Sequence, residues 1–428
     1  MDLRPLRDSA DFRRLFFGEG ISLFGSMVTY VAIPFQIKEL TDSFIAVGLV
    51  GLLQFVPMVL AGLWGGALAD AANKRTVVLS CEASALLCSV VLIANARAPE
   101  PQLWLVYLIA VLFATATALH YPSAEAMTPL LVSHDALPSA SALKMTRMTF
   151  ASIGGPAIGG IVLATWGTPW AYGLDAASYA VSIVFFLRMA STPRGATAER
   201  PSLRRIREGL AYARSRRDLL GTYLIDFAAM FLAFPYALFP FVADELNAPW
   251  SLGWLYSAGA IGGLLAAITS RWVRHVPHHG RGVVISAACW GAAIGLFGLA
   301  TNVWLALALL ALAGAADTIS GIFRTTMWNQ TVPDDMRGRM VGIELLSFTA
   351  GPQLGQLRGG LMAQVTSLRF AIASGGFAAA GFALLLAVFL PDLWRYDLRT
   401  DEHAARQRDS SARRSVGGAD DPADPPDS

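Results

Sequence analysis

The feature that most constrains this chain is a succession of twelve apolar stretches, each near the roughly 20 residues a helix needs to cross a bilayer, with charge confined to the connections. They fall near residues 15–37, 44–68, 76–96, 102–122, 139–165, 170–188, 219–242, 250–269, 283–300, 303–323, 338–362 and 370–390. Lipid offers no hydrogen-bond partners, so a spanning segment must satisfy its backbone internally. The runs are too long, and too poor in strict alternation, for the wall of a barrel. Helices are therefore expected. Across 428 residues, 54% are hydrophobic and 15% charged, against about 25% charged in a soluble domain. That balance leaves too little polar surface for a water-soluble enzyme, a disordered chain or a nucleic-acid binder.

Positive charge is retained on the cytoplasmic side of a membrane protein. With the N-terminus inside, 28 of the 33 Lys and Arg residues fall on cytoplasmic connections and ends, and three, Lys38, Arg97 and Arg369, on the opposite face. Arg147 and Arg358 lie within spans. Losing one span would exchange the faces downstream and destroy the asymmetry, so twelve spans with both ends cytoplasmic are expected. No small-residue cleavage site follows the first run, which reads as a span and not a removable signal. The expected organisation is a cytoplasmic N-terminus (1–14), a six-helix bundle (15–188), a cytoplasmic linker rich in arginine (189–218), a second six-helix bundle (219–390) and a largely disordered cytoplasmic tail (391–428). Cys81, Cys88 and Cys289 all sit in apolar runs and read as packing residues.

The two halves also match internally. Residues 137–160 align without gaps on 333–356, placing Gly155-Pro156 on Gly351-Pro352 and Gly159 on Gly355, in the fifth span of each half. Parallel repeats of this kind mark alternating-access transporters. The loop after the second span, Gly66-Ala67-Leu68-Ala69-Asp70-Ala71-Ala72-Asn73-Lys74-Arg75, is similar to the major facilitator superfamily signature Gly-x-Leu-Ala-Asp-Arg-x-Gly-Arg-Arg, with departures at Ala71 and Asn73. The segment Gly154-Gly155-Pro156-Ala157-Ile158-Gly159-Gly160 resembles that superfamily's signature for exporters working by exchange. Three further stretches, at 12–16, 170–174 and 332–339, resemble its enterobactin-exporter and multidrug-efflux branch. The resemblance implies an all-α membrane protein with twelve transmembrane helices in two pseudo-symmetric bundles. It also implies a gating latch in which Gly66, Asp70, Lys74 and Arg75 meet the start of the eleventh span at Arg337 and Arg339. That branch often carries an arginine in the fourth span, and none occurs here between Leu103 and Leu119.

Other candidates follow from residue chemistry. Gly155, Pro156, Gly159 and Gly160, with Gly351, Pro352 and Gly355, combine close backbone approach with a helix bend, as a contact between halves would require. Charged groups inside a membrane are costly and face a partner or a cavity. Asp226 is a candidate coupling carboxylate or a buried structural partner, and Arg147 is its possible partner, an anionic-substrate contact or a residue reaching back to the cytoplasm. Glu19 and Glu82, each about a turn into a span, are expected to reach the interface, with Glu19 kept as a coupling candidate. Asp317, Glu344 and Arg358 could form a second polar set. Phe227, Met230, Phe231, Phe234 and Tyr236 could line an adaptable apolar pocket or face lipid. His275-x-x-His278-His279 has a ligand-like spacing without supporting cysteines or carboxylates, so no metal is expected.

With no Walker loop and no cytoplasmic segment long enough for a nucleotide domain, an ion gradient or the substrate's own gradient must supply the energy. The expected activity is secondary export of a bulky amphiphile, a siderophore or drug, across a bacterial inner membrane by proton antiport. Uptake by the same fold is the alternative, and a non-transporting sensor a more distant one. The expected partners are the bilayer, a small-molecule substrate and protons, with a monomeric chain, no nucleic acid, no cofactor and no enzymatic activity.

Overall fold

The computed structural model describes residues 2–71, 73–190, 211, 212, 214, 216–397 and 399–401, with the side chains of 61–71, 334, 335 and 337–349 outside that description. Helices dominate: α1 (Ala10–Thr41), α2 (Phe44–Ala71), α3 (Lys74–Arg97), α4 (Leu103–Leu131), α5 (Leu137–Trp166) and α6 (Thr168–Leu187) make the first half. The second comprises α7 (Arg217–Ala233), α8 (Leu252–Thr269), α9 (His279–Phe297), α10 (Val303–Thr331), α11 (Asp334–Val365) and α12 (Leu368–Phe389). Among the described residues, ten helical segments are long and apolar enough to cross a membrane. The expected second and eleventh spans coincide with α2 and α11, which stand outside those ten.

Helix starts and stops follow local chemistry. Ser9, Asn73, Asn302 and Ser367 accept from the backbone N–H three residues on, capping α1, α3, α10 and α12. The seventh span is interrupted: α7 stops at Ala233, Pro235 follows, and a short helix, Phe239–Glu245, completes the crossing. Proline has no N–H to donate and restricts the residue before it, so α7 cannot run through this point.

The packing of the first half recurs in the second. α1 packs on α5 and α6 as α7 packs on α11 and α12; α3 packs on α4 and α6 as α9 packs on α10 and α12; and α2 meets α4 as α8 meets α10. The halves join through α2 with α11 and α5 with α8, a pair of contacts that the same repeat exchanges. This is the two-bundle architecture expected of the duplicated sequence. Exposed Leu87, Ile268, Val388 and Phe389 lie on the outside, where a soluble protein would carry polar groups.

One end of the molecule, where α1 finishes and α2 begins, is tied together. Lys38 pairs with Asp244 across the halves, Arg369 pairs with Glu245, and Arg369 also donates to the Ala300 carbonyl at 3.3 Å. Thr168 donates to Glu39 at 3.1 Å. Trp104, Trp166, Trp170, Trp250 and Trp304 are all exposed at this end, the placement of a membrane-interface belt. Here too the halves meet: Ser257 on α8 donates to the Ile153 carbonyl of α5 at 2.7 Å. Gly160 and Gly253 face one another so closely that a Cβ on either would overlap the other helix's backbone. Such approach requires glycine.

Replacing Gly253 by valine is expected to force α8 away from α5 while leaving both halves helical. In a background with Cys81, Cys88 and Cys289 removed, a Ser257→Cys reporter should then react with thiol reagents several-fold faster. Unchanged reactivity would contradict the close contact.

Candidate functional site

Two unit charges 4 Å apart attract by about 1 kcal/mol in water and about 4 kcal/mol at a protein-like dielectric of 20, and a charge in lipid without a partner is costly. The intramembrane ionisable groups should therefore be found in pairs. In the second half, Asp226 on α7 forms an ion pair with Arg324 on α10, whose other terminal nitrogen lies 3.7 Å from Asp317 on the same helix. Asp226, Asp317 and Arg324 line a cavity with Met230, Trp290 and Ser320. The cavity volume is about 10 Å³, at the lower limit for holding a single water molecule. In this conformation it has no room for a bulky compound.

Arg324 is the main correction to the sequence reading, which ends the tenth span at residue 323 and counts Arg324 as a loop charge. A single arginine does not stop a helix, and α10 continues to Thr331, short of Pro333. The partner expected for Asp226, Arg147, instead pairs with Glu19 of α1 and lies 5.7 Å from the Phe16 ring. Glu19 is the tenth residue of α1 and Asp226 the tenth of α7, so each half places an acid–arginine pair at the same depth of its first helix.

Glu82, expected near the interface, is 2% exposed and stands 3.1 Å from His120 of α4. His120 lies within the expected fourth span, near its end. Asp175 of α6, which the sequence reading passed over, is completely buried and accepts from Thr29 and Ser89. A lone carboxylate within an apolar run was the available signal for it, the same signal that singled out Asp226.

The remaining candidates separate by location. Arg358 donates to the carbonyls of Leu232, at the break after α7, and of Ala371, the latter at 3.4 Å. A cation at a helix C-terminus satisfies carbonyls that the broken helix leaves open, so Arg358 belongs to the hinge of the seventh span and not to a polar set with Asp317. Arg75 likewise donates to the Phe186 and Leu187 carbonyls at the end of α6, at 2.8 and 2.7 Å, and Lys74 is buried at the start of α3. The side chains of Gly66, Asp70, Arg337, Arg339 and Glu344 lie outside the described residues, and with them the latch.

Gly155 and Gly159 abut Met27 and Val28 of α1, and Gly351 and Gly355 abut Met230 of α7, all within their own halves. Gly160 and the Pro156 carbonyl face α8 across the halves, and Pro352 lies within α11. Of the aromatic candidates, Phe227 and Phe231 stack at 5.9 Å, while Phe234 stacks on Tyr236 at 4.4 Å. Tyr236 also meets Tyr30 at 6.3 Å and Tyr256 at 5.5 Å, an aromatic plug between the halves at the tied end. Only Met230 of this group lines the charged cavity described above. Among the described residues, no group of His, Cys, Asp or Glu is arranged to hold a metal.

Removing one member of a buried ion pair typically costs about 3–5 kcal/mol, because the other charge stays behind. Arg324→Gln should therefore lower thermal stability markedly, and Asp226→Asn added to it should recover much of the loss. Equal, additive losses in a double-mutant cycle would show that the two groups do not interact.

The sequence matches the family described as transmembrane secretion effector over residues 2–415. It is 30% identical over 399 residues, 92% of this chain and 95% of the relative, to the enterobactin exporter EntS of Shigella boydii serotype 18. The same identity and coverage hold for EntS of Escherichia coli O139:H28. Among solved structures, the nucleoside transporter NupG superposes with a TM-score of 0.71 at 13% identity, covering 90% of this chain and all (100%) of that one. A bacterial homologue of the iron transporter ferroportin, in an inward-facing state, gives 0.66 at 15% identity, covering 89% and 98%. At such identities the structural likeness is one of fold.

Proposed function

Since this chain belongs to the transmembrane secretion effector family of the major facilitator superfamily, and is a multi-pass membrane transporter, we propose that it exports a bulky amphiphile of the siderophore or drug class by proton exchange. The direction and substrate class draw on the EntS relatives, whose identity to this chain extends over 92% of its length. The excess of positive charge on one set of connections supports a placement in the cytoplasmic membrane of a bacterium with both ends inside.

The observation that carries the mechanism is the Asp226–Arg324–Asp317 group within the second bundle. Among the described residues, the Arg324 guanidinium lies between two acids and can favour either. Protonation of Asp226 removes its claim on Arg324 and leaves Asp317 as the competing partner. Because α7 and α10 carry the two sides of the exchange, the proton state of Asp226 biases how these helices pack. A ligand or proton can shift a two-state equilibrium only by its differential affinity for the two states. The Asp226 proton supplies such a difference here, and the contacts between α2 and α11 and between α5 and α8 are the elements it would bias. Asp70 with Arg337 and Arg339 would act at the opposite end of the helices, as the family signature implies.

The test is flux in vesicles of known orientation, with a catecholate siderophore and a bulky lipophilic dye as probes. Outward movement of one of them should accelerate under an inward proton gradient, and Asp226→Asn, compared with the parent at equal amounts of folded protein, should abolish that acceleration, with thermal stability lowered by the arginine left without this partner. Gradient-driven flux and pH response equal to the parent would remove Asp226 from the coupling; accelerated uptake instead of export would reverse the direction.

A further inference from the structure

Asp175 differs from every other intramembrane acid described above in having no cationic partner. It is the eighth residue of α6, about 10 Å from the start of that helix at 1.5 Å per residue. It is completely buried between α1 and α3. Thr29 of α1 donates to Oδ2 at 2.6 Å and Ser89 of α3 donates to the same oxygen at 2.9 Å, while Oδ1 has no hydrogen-bond partner among the described residues. No lysine, arginine or histidine of the described residues pairs with it. The titratable groups around it are Glu82 and Cys88 on α3, Tyr172 and Tyr179 on α6, and Glu39 of α1 beyond Tyr172. On α5, Arg147 is held by Glu19. All the near neighbours are neutral or acidic.

We propose that Asp175 is a second proton-binding site of the transporter, located in the first bundle and separate from the Asp226–Arg324 group. A carboxylate with two hydroxyl donors and no counter-charge cannot be held cheaply inside a membrane. A proton on Oδ1 neutralises it without disturbing either hydroxyl bond, both of which end on Oδ2. Gly25 of α1 packs closely on the Oδ1 side, where a Cβ would stand 2.9 Å from that oxygen and would overlap the Ser178 hydroxyl.

From there α6 carries a row of hydroxyls on its buried face. Ser26 and Tyr179 share a hydrogen bond of 2.7 Å one turn on, and the fully buried Ser182 hydroxyl is without a partner among the described residues. Phe186, a turn further, lies 6.5 Å from the His120 ring, and His120 stands against Glu82. Ser89 and Glu82 are themselves two turns apart on α3. The row of hydroxyls ends at Ser182, and the Phe186 ring, which carries no proton-transferring group, separates it from His120.

What the proton is used for rests on the proton-exchange reading above; its residence on Asp175 does not, and the two are tested apart. Infrared difference spectra of the purified protein in membranes, parent against Asp175→Asn, should show a carboxylic-acid carbonyl band in the parent that is missing from the variant and fades at alkaline pH. Thr29→Val, which retains the acid, should shift that band in frequency by removing one hydrogen bond, and covers the case in which the Asn variant fails to fold. A parent with no acid carbonyl band at any pH would overturn the proposal, as would a band unmoved by both variants. In vesicles, Asp175→Asn should lose about tenfold of the pH-gradient-driven flux, a coupling within the range usual between two sites, and keep substrate exchange without a gradient. Full gradient-driven flux in that variant would also overturn the proposal. If flux in the parent ignores the gradient altogether, the proton-exchange reading fails, and the infrared band alone decides Asp175.

Discussion

The cost of an uncompensated charge in lipid governs how this molecule is put together. Among the described residues, the cations within the spans find an acid on a neighbouring helix or backbone carbonyls that a helix end has left open. Asp226 and Arg324 illustrate the first solution, Glu19 and Arg147 repeat it in the other half, and Arg358 at the Leu232 carbonyl illustrates the second. These contacts hold particular helices together without a hydrophobic driving force, which lipid does not provide. A buried ion pair is weak evidence of stability. In the function proposed above, its value lies in having alternatives, as with the arginine between Asp226 and Asp317.

The duplicated architecture turns such local alternatives into a molecular one. Within each half the helices pack in the same pattern, and the two contacts between halves exchange under the repeat. Both contacts are close approaches of glycine-bearing backbones at the end where Lys38 meets Asp244, with aromatic rings of Tyr30, Tyr236 and Tyr256 between them. An exposed pair such as Lys38–Asp244 contributes only about 0–1 kcal/mol. The bundles are thus joined to one another by two regions of close backbone packing.

The sequence made the fold legible because hydrophobicity and charge placement are written in one dimension: the runs, their connections and the internal match between residues 137–160 and 333–356 lead directly to two six-helix halves. Asp226 was visible for the same reason, as an acid in an apolar run. Partnership was not visible, because it depends on which helix faces which. Arg147 is as plausible a partner on paper as Arg324, and only the packing of α1 on α5 and the reach of α10 to Thr331 separate them. A span ended at its first charge omits Arg324, and the hinge role of Arg358 depends on the break of α7 beside it, which only the packing shows. Charges tolerated inside long helices are the features that a hydropathy reading discards and that the structure restores.

The central claim, that the two halves are joined at the Lys38 end in one state and part there in another, is tested most directly by distance. Spin labels at Lys38 and Asp244, measured by pulsed dipolar spectroscopy in lipid across acidic and alkaline pH and with substrate present, should give two distinct separations whose populations change with conditions. A single separation, unmoved by pH and by substrate, would contradict the account.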